Sequence, residues 1–160
     1  MRFLLALCLL FTAAAAADTM HGVVIVVIDG DTVLFKPDSY GAASRAFLKL
    51  RLADIDAPEK DQPYGDAATQ ALTALVLKQR VEVDTVATDD YGRTVAYLRT
   101  GALQVNAELV RRGYAWPLTR YRRNAELLDA QREARHIRRG VWQDPAPTPP
   151  WIWRRSTREK

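Results

Sequence analysis

Along much of the chain, apolar and polar positions alternate with the period of a β-strand. His21 to Ile28 (HGVVIVVI) is β-branched and almost wholly apolar, which predicts a strand buried on both faces. Asp29-Gly30 is a hairpin dipeptide, after which Thr32 to Lys36 resumes a strand. Residues 37–45 carry turn formers and read as a surface loop. Over Ala46 to Ala53, Phe47, Leu48, Leu50 and Leu52 interleave with Lys49 and Arg51, the pattern of a third strand. Arg80 to Val86 alternates again, with Val81 and Val83 inward and Glu82 and Asp84 outward, and Thr94 to Leu98 makes a fifth strand.

Between the third and fourth strands the period changes. DIDAPEKDQPYGD is a loop punctuated by Pro58, Pro63 and Gly65. A helix starting with Asp66 as N-cap then places Ala68, Leu72, Leu75 and Val76 on one face. Two more helices are predicted, over Val105 to Arg112 closed by Gly113, and over Asn124 to Arg139 closed by Gly140. From Asp144 the chain is proline-rich and then basic, and no packed element is expected there. Five short strands, one helix inserted after the third and two helices following give an α+β fold, mainly β. The expected architecture is a five-stranded oligonucleotide-binding (OB-fold) barrel with three helices.

Length and composition narrow this reading. A chain of 160 residues has room for one core, and 48% hydrophobic with 26% charged residues is the balance of a folded domain rather than a disordered one. The net charge of +4 makes a polyanion a plausible partner without specifying one. The first residues stand apart: Arg2, an apolar run from Phe3 to Phe11 and a stretch of alanines have the anatomy of a secretory signal peptide cut after Ala17. The apolar run is too short for a bilayer-spanning helix of about 20 residues. The expected organisation is therefore a leader over 1–17, a folded domain over 18–143 and a tail over 144–160. The expected location is the periplasm or the exterior, without stable membrane association.

Cys8, the one cysteine, falls within the leader, so the mature chain would hold no thiol, disulfide or thiolate metal site. A lipid anchor on Cys8 is the competing reading. Against it, Leu7 precedes the cysteine where a small residue is expected.

Candidate chemistry gathers near strand ends: Asp31, Asp54, Asp56, Glu59, Arg51 and Arg93. The sequence offers no Cys/His cluster, glycine-rich phosphate cradle or spaced Ser/His/Asp set, and His21 and His136 read as surface groups. Any metal must then be hard and oxygen-bound, meaning calcium, magnesium or manganese. Each residue alone has an ordinary explanation. DGDT is a hairpin tip, Asp54 and Asp56 are loop acids, Arg51 is an outward strand residue and Arg93 a turn residue. If the strand extended that far, period-two spacing would put Asp54 and Asp56 on the same side.

In combination these motifs resemble the staphylococcal nuclease (thermonuclease) family. The matching pieces are VIDGDTV (27–33), RLADIDAPE (51–59), YGDAA (64–68), DDYGRTVAYL (89–98), VNAELVRRGYA (105–115) and GVW (140–142). They occur in the family's order over residues 22–142. The resemblance implies a five-stranded barrel with three helices and calcium-dependent hydrolysis of DNA and RNA. It implies that Asp31 and Asp56 supply calcium carboxylates and Ala57 a backbone carbonyl ligand. Glu59 matches the acid that activates or orients the attacking water, and Arg51 and Arg93 match the arginines that hold the phosphate. Asp29 and Thr32 match positions supporting the ligand turn, and Tyr91 and Tyr121 are placed to stack on a base.

The chain departs from the family pattern in a shorter loop from Glu59 to Tyr64, a longer segment from Thr32 to Arg51, and Thr119 where a nucleotide-side tyrosine is expected. A monomer is expected. Two other functions use the same features: a nucleic-acid-binding barrel without catalysis, and a calcium-dependent interaction module. Retention of Asp31, Arg51, Asp56, Glu59 and Arg93 together favours the enzyme, because a binder needs no such set. Arg120, Arg122, Arg123, Arg154 and Arg155 are basic enough to touch phosphate, although a solvated face is the simpler account.

Overall fold

The computed structural model describes residues 19–118 and 124–158. The leader with Cys8, and the group Arg120, Tyr121, Arg122 and Arg123, lie outside these residues. Five strands make the barrel. β1 (Thr19–Asp29) turns into β2 (Thr32–Pro37) and pairs on its other edge with β5 (Arg80–Thr88). β2 pairs with β3 (Leu48–Leu52), and β5 with β6 (Thr94–Thr100). Closure comes from a parallel pairing of β3 with β6, which sets Arg51 opposite Val95. Val24, Val33, Phe35, Leu50, Leu52, Val83 and Leu98 point into this barrel and are fully or almost fully buried. A short β7 (Leu103–Gln104) extends the sheet beyond β6.

β1 is not buried on both faces as its composition suggested. Ile25 and Val26 are exposed, beside a register break between Val24 and Val26. A barrel has one interior, so a strand's outer face is covered only where another element lies against it. At Val24 the residues just after the next helix pair with the strand edge instead: Leu77 forms a parallel bridge with Val24, and Lys78 N–H donates to the Val24 carbonyl at 2.8 Å.

That helix, α1 (Gly65–Val76), buries Ala68, Leu72, Leu75 and Val76 as its spacing required. Full burial of a side chain such as Leu72 contributes about 1.5–3 kcal/mol. Its start differs from expectation. Tyr64, in left-handed backbone (φ 70°), occupies the cap position, and Asp66 lies inside the first turn. There its charge still favours the positive end of the helix dipole. Gly65 is required because a Cβ would stand 1.9 Å from the Glu59 carbonyl oxygen, so tightly does the preceding loop fold back.

A two-residue β4 (Ile55–Asp56) pairs antiparallel with β8 (Trp116–Pro117), a long-range contact that no periodic pattern announces. α2 (Val105–Arg111) is capped by the Gln104 side chain, which accepts from Ala107 N–H. Asn106, wholly buried, ties the helix to the barrel by donating to the Ala53 carbonyl at 2.9 Å and accepting from Leu98 N–H at 3.1 Å. α3 (Ala125–His136) is capped by Asn124 and followed by a 3₁₀ turn over Gly140–Gln143. Trp142 in that turn stacks at a tilt against Trp116, with centroids 5.3 Å apart.

The tail, where no packed element was expected, carries a fourth helix, α4 (Pro150–Arg158). Its prolines initiate it: a proline at the first helical position lacks only an N–H that would have no partner anyway. The Pro149 carbonyl accepts from Ile152 and Trp153 N–H, both at 3.0 Å. Among the described residues no helix is long and apolar enough to cross a membrane.

Candidate active site

The β1–β2 hairpin has only Gly30 and Asp31 at its tip, between the paired residues Asp29 and Thr32. Gly30 is there because of crowding: a Cβ would come within 2.7 Å of the Ala57 Cβ and 2.9 Å of the Ala68 Cβ. The tip is therefore pressed between the DIDAPE loop and α1. This burial fixes the Asp31 carboxylate. One oxygen accepts from Ala57 N–H at 2.8 Å, the other from the Thr32 hydroxyl at 3.1 Å, and Asp29 in turn accepts from Asp31 N–H at 3.1 Å.

Arg51, facing outward from β3, joins this carboxylate to a second one. Its Nη1 donates to Asp31 and its Nη2 to Asp56 at 2.8 Å. Both acids are almost completely buried, at 3% and 2% exposure, so the two charges depend on such pairing. Asp56 is held at its depth by the β4–β8 pairing. Asp54 is not part of the group. β3 ends at Leu52, and Asp54 takes left-handed backbone (φ 56°), so the alternation that would have aligned it with Asp56 is broken. Its carboxylate accepts instead from the Tyr97 hydroxyl.

Arg93 is held by its own turn. Asp89 accepts from the Arg93 backbone N–H at 2.9 Å, from Arg93 Nε at 2.7 Å and from Tyr91 N–H at 3.0 Å. Although desolvation works the other way, these contacts with Arg93 keep the Asp89 carboxyl below its ordinary pKa. Tyr91 is 82% exposed, and the Arg93 guanidinium lies 5.5 Å from its ring centre. Tyr121 falls outside the described residues. His21 is an exposed strand residue 3.7 Å from Glu82, remote from this chemistry.

Glu59 stands at the start of a tight loop organised by Gln62. That side chain accepts from Glu59 N–H at 3.1 Å, while Gln62 N–H donates to the Glu59 carbonyl at 3.0 Å. Gln62 also donates to the Thr148 carbonyl at 2.7 Å, which fastens the C-terminal segment to the loop. The result is a contact that no local motif could reveal. Arg154 of α4 reaches Asp56 with Nη2 at 2.7 Å and Nη1 at 3.2 Å, and Glu59 with Nη1 at 2.5 Å, across 98 and 95 residues of sequence. Hydrogen bonding to Asp56, reinforced by Glu59, holds the Arg154 guanidinium still further above its already high ordinary pKa. The sequence had marked Arg154 only as one of several tail arginines.

These groups open on a cleft of about 330 Å³. Asp31, Arg51, Glu59, Tyr91, Arg93 and Arg154 line it, with Asp29, Ala57, Pro58 and Arg158. Asp56 lies beneath, covered by Arg51 and Arg154. A floor of carboxylates ringed by guanidiniums suits a cation and an anion bound side by side, as a metal-assisted phosphoryl centre requires.

The family model described as "Staphylococcal nuclease homologue" matches residues 49–144. The chain belongs to the staphylococcal nuclease family. Arg51, Asp56, Glu59 and Arg93 fall within the matched span, while Asp31 precedes it and α4 follows it. Relatives extend the likeness to nearly the whole chain. A protein named micrococcal nuclease from Shigella flexneri is 35% identical over 96% of this chain and 90% of its own length. An uncharacterized endonuclease of Escherichia coli O157:H7 is 38% identical over 91% of this chain and 92% of its own. Protein ParB of Escherichia coli is 37% identical over 97% and 90%. As a member of this family the chain is a nuclease that hydrolyses phosphodiester bonds, and nucleic acids are its substrates.

Among the described residues no group of three or more His, Cys, Asp or Glu side chains converges on a metal position. The donor set nonetheless fits a hard divalent ion. Asp31 and Asp56 lie within the span of one guanidinium, both are buried, and together they carry the charge that a divalent ion balances. Ala57 lines the same cleft as Asp31.

Asp89→Ala tests the support of Arg93. Without its acceptor the guanidinium loses its fixed position in the cleft, and polynucleotide cleavage should fall about 10-fold or more, since small misplacements of groups that position a substrate are costly. Steady-state cleavage at the parent's rate would mean that the turn holds Arg93 without Asp89.

Proposed function

We propose that this nuclease is calcium-dependent and hydrolyses both DNA and RNA, and that the mature chain is exported and acts as a monomer. The observation that supports this reading best is the sharing of Arg51 between the buried carboxylates of Asp31 and Asp56, with Glu59 and Arg93 opening on the same cleft. Asp31 and Asp56, with the Ala57 carbonyl, would hold the calcium ion. Bound there, calcium supplies Lewis-acid stabilisation of phosphate charge. Arg51 and Arg93 bind the non-bridging oxygens of the scissile phosphate and oppose the negative charge that grows as water attacks. Arginine suits this because its planar fork can donate to two oxygens and stays charged. Glu59 accepts the proton of the attacking water, or aligns that water, within the same cleft. Tyr91, and Tyr121 by family resemblance, offer faces for a base. The groups so placed address phosphate, which DNA and RNA share.

The test is incubation of the purified mature protein with single- and double-stranded DNA and RNA, across a divalent-ion series and in chelator. Cleavage of all four in calcium and of none in chelator is expected. Undiminished cleavage in chelator would remove the metal from the reading, and cleavage of only one nucleic acid would remove sugar indifference. Mass spectrometry of the exported protein should give an N-terminus at Asp18, whereas an intact Met1 would refute the leader.

A further inference from the structure

We infer that α4 is a second wall of the nucleic-acid groove, on which Arg154 and Arg158 bind backbone phosphates next to the scissile one. This rests on the nuclease reading above and extends it to residues beyond the span of the family model.

Four observations carry it. First, the helix is fixed in place. Pro150 is buried, Thr148 is tied to Gln62, and Trp153 Nε1 donates to Asp61 at 3.3 Å. Both Asp61 and Gln62 belong to the loop that starts with Glu59, so helix and candidate catalytic loop form one structure. Second, Arg154 and Arg158 both line the cleft that holds Arg51, Arg93 and Glu59. Four residues apart on a helix, they stand on one face, displaced by ~6 Å along the axis. Two guanidiniums in such a row offer successive contacts to a chain of phosphates rather than two contacts to one.

Third, the present partners of the cleft guanidiniums are the same carboxylates that a divalent ion would engage. Arg51 and Arg154 are paired with Asp31, Asp56 and Glu59. A divalent ion on Asp31 and Asp56 would take up carboxylate charge that these guanidiniums now neutralise, and a phosphodiester chain would then become their counter-charge. Fourth, the positive surface continues outward. Trp151, Arg154, Arg155 and Arg158 line an adjoining groove, and Trp151 is 37% exposed. An aromatic face among arginines is the combination that grips single strands, stacking bases while the cations follow the backbone.

The test uses the mature protein and its Arg154→Ala, Arg154→Lys and Arg158→Ala variants. Binding of a fluorescent single-stranded phosphorothioate oligonucleotide, which resists cleavage, is measured by anisotropy in calcium over a salt series. Cleavage is measured on long single-stranded DNA and on a dinucleotide. Each alanine variant should flatten the plot of log K against log[salt] by ~0.7, the loss of one single-strand phosphate contact. KM on the long substrate should rise ~5-fold or more, and by a larger factor than on the dinucleotide, because only the longer chain reaches α4. Arg154→Lys should restore the salt slope, since it keeps the charge, but not the full affinity, since it loses the fork.

Unchanged salt slopes in both alanine variants would overturn the inference. So would faster cleavage by Arg154→Ala at a lower calcium requirement, which would make α4 a plug over the centre rather than a wall. Arg158→Ala keeps the test sound if removal of Arg154 harms folding, because Arg158 bridges neither buried acid. A parent protein that binds the oligonucleotide but cuts no nucleic acid would refute the proposed function and leave the salt slopes to judge α4 independently.

Discussion

Glu59→Gln should lower turnover by at least about 10²-fold, the low end for loss of a general acid–base group. The substitution keeps the shape of the side chain and an oxygen that can accept from Arg154, now 2.5 Å from the carboxylate. It should therefore leave the loop intact, and Gln62 should still accept from the residue 59 N–H. What the amide cannot do is take a proton from water. The loss should appear in kcat, with KM close to the parent's, because phosphate binding is assigned to the arginines. Single-turnover cleavage at saturating enzyme reads the chemical step directly. Near-parental turnover there would exclude Glu59 as base, and a change confined to KM would recast it as a substrate-binding group.

How far the site could be read from sequence depended on whether the information was local. Leu72 and Val76 on α1, and Val81 and Val83 on β5, followed from periodicity, because each period maps directly onto a buried face. Asp31, Arg51, Glu59 and Arg93 carry their turn and strand-end contexts with them, and the structure brings them to one cleft. Asp54 shows the limit of that logic: one left-handed residue after Leu52 reverses the alternation and sends the carboxylate to Tyr97. β4 and β8, two residues each, are too short to have a period at all, yet their pairing sets the depth of Asp56. Least legible was Arg154. Its tail is proline-rich and basic, a composition for which no packed element is expected. The helix forms because Pro150 suits a first turn and Trp153 and Gln62 give the segment something to hold. A contact that spans 98 residues leaves no trace in spacing.

Arg51→Ala should affect stability and chemistry together, and the two effects should separate on adding calcium. The guanidinium bridges Asp31 and Asp56, each nearly inaccessible to water. Removing one partner of a buried ion pair commonly costs about 3–5 kcal/mol, because the remaining charge stays desolvated. Asp31 would keep the Ala57 N–H and the Thr32 hydroxyl, and Asp56 would keep Arg154, so the lower end is expected. In chelator, denaturant unfolding should show a loss of about 3 kcal/mol. Saturation of the proposed site should recover much of it: ligand at 100 times its Kd stabilises by about 2.7 kcal/mol. Turnover should not recover. On the proposed assignment of Arg51 and Arg93 to the scissile phosphate, it would still lack one of its two forks, a deficit of about 10²–10³-fold by analogy with loss of an oxyanion donor. Lysine at this position should fall between the two, because its single ammonium cannot bridge both acids while presenting a planar fork. Stability equal to the parent's in chelator would mean that the bridge contributes nothing to the fold. Turnover restored along with stability would mean that Arg51 serves the metal carboxylates alone and never meets the phosphate.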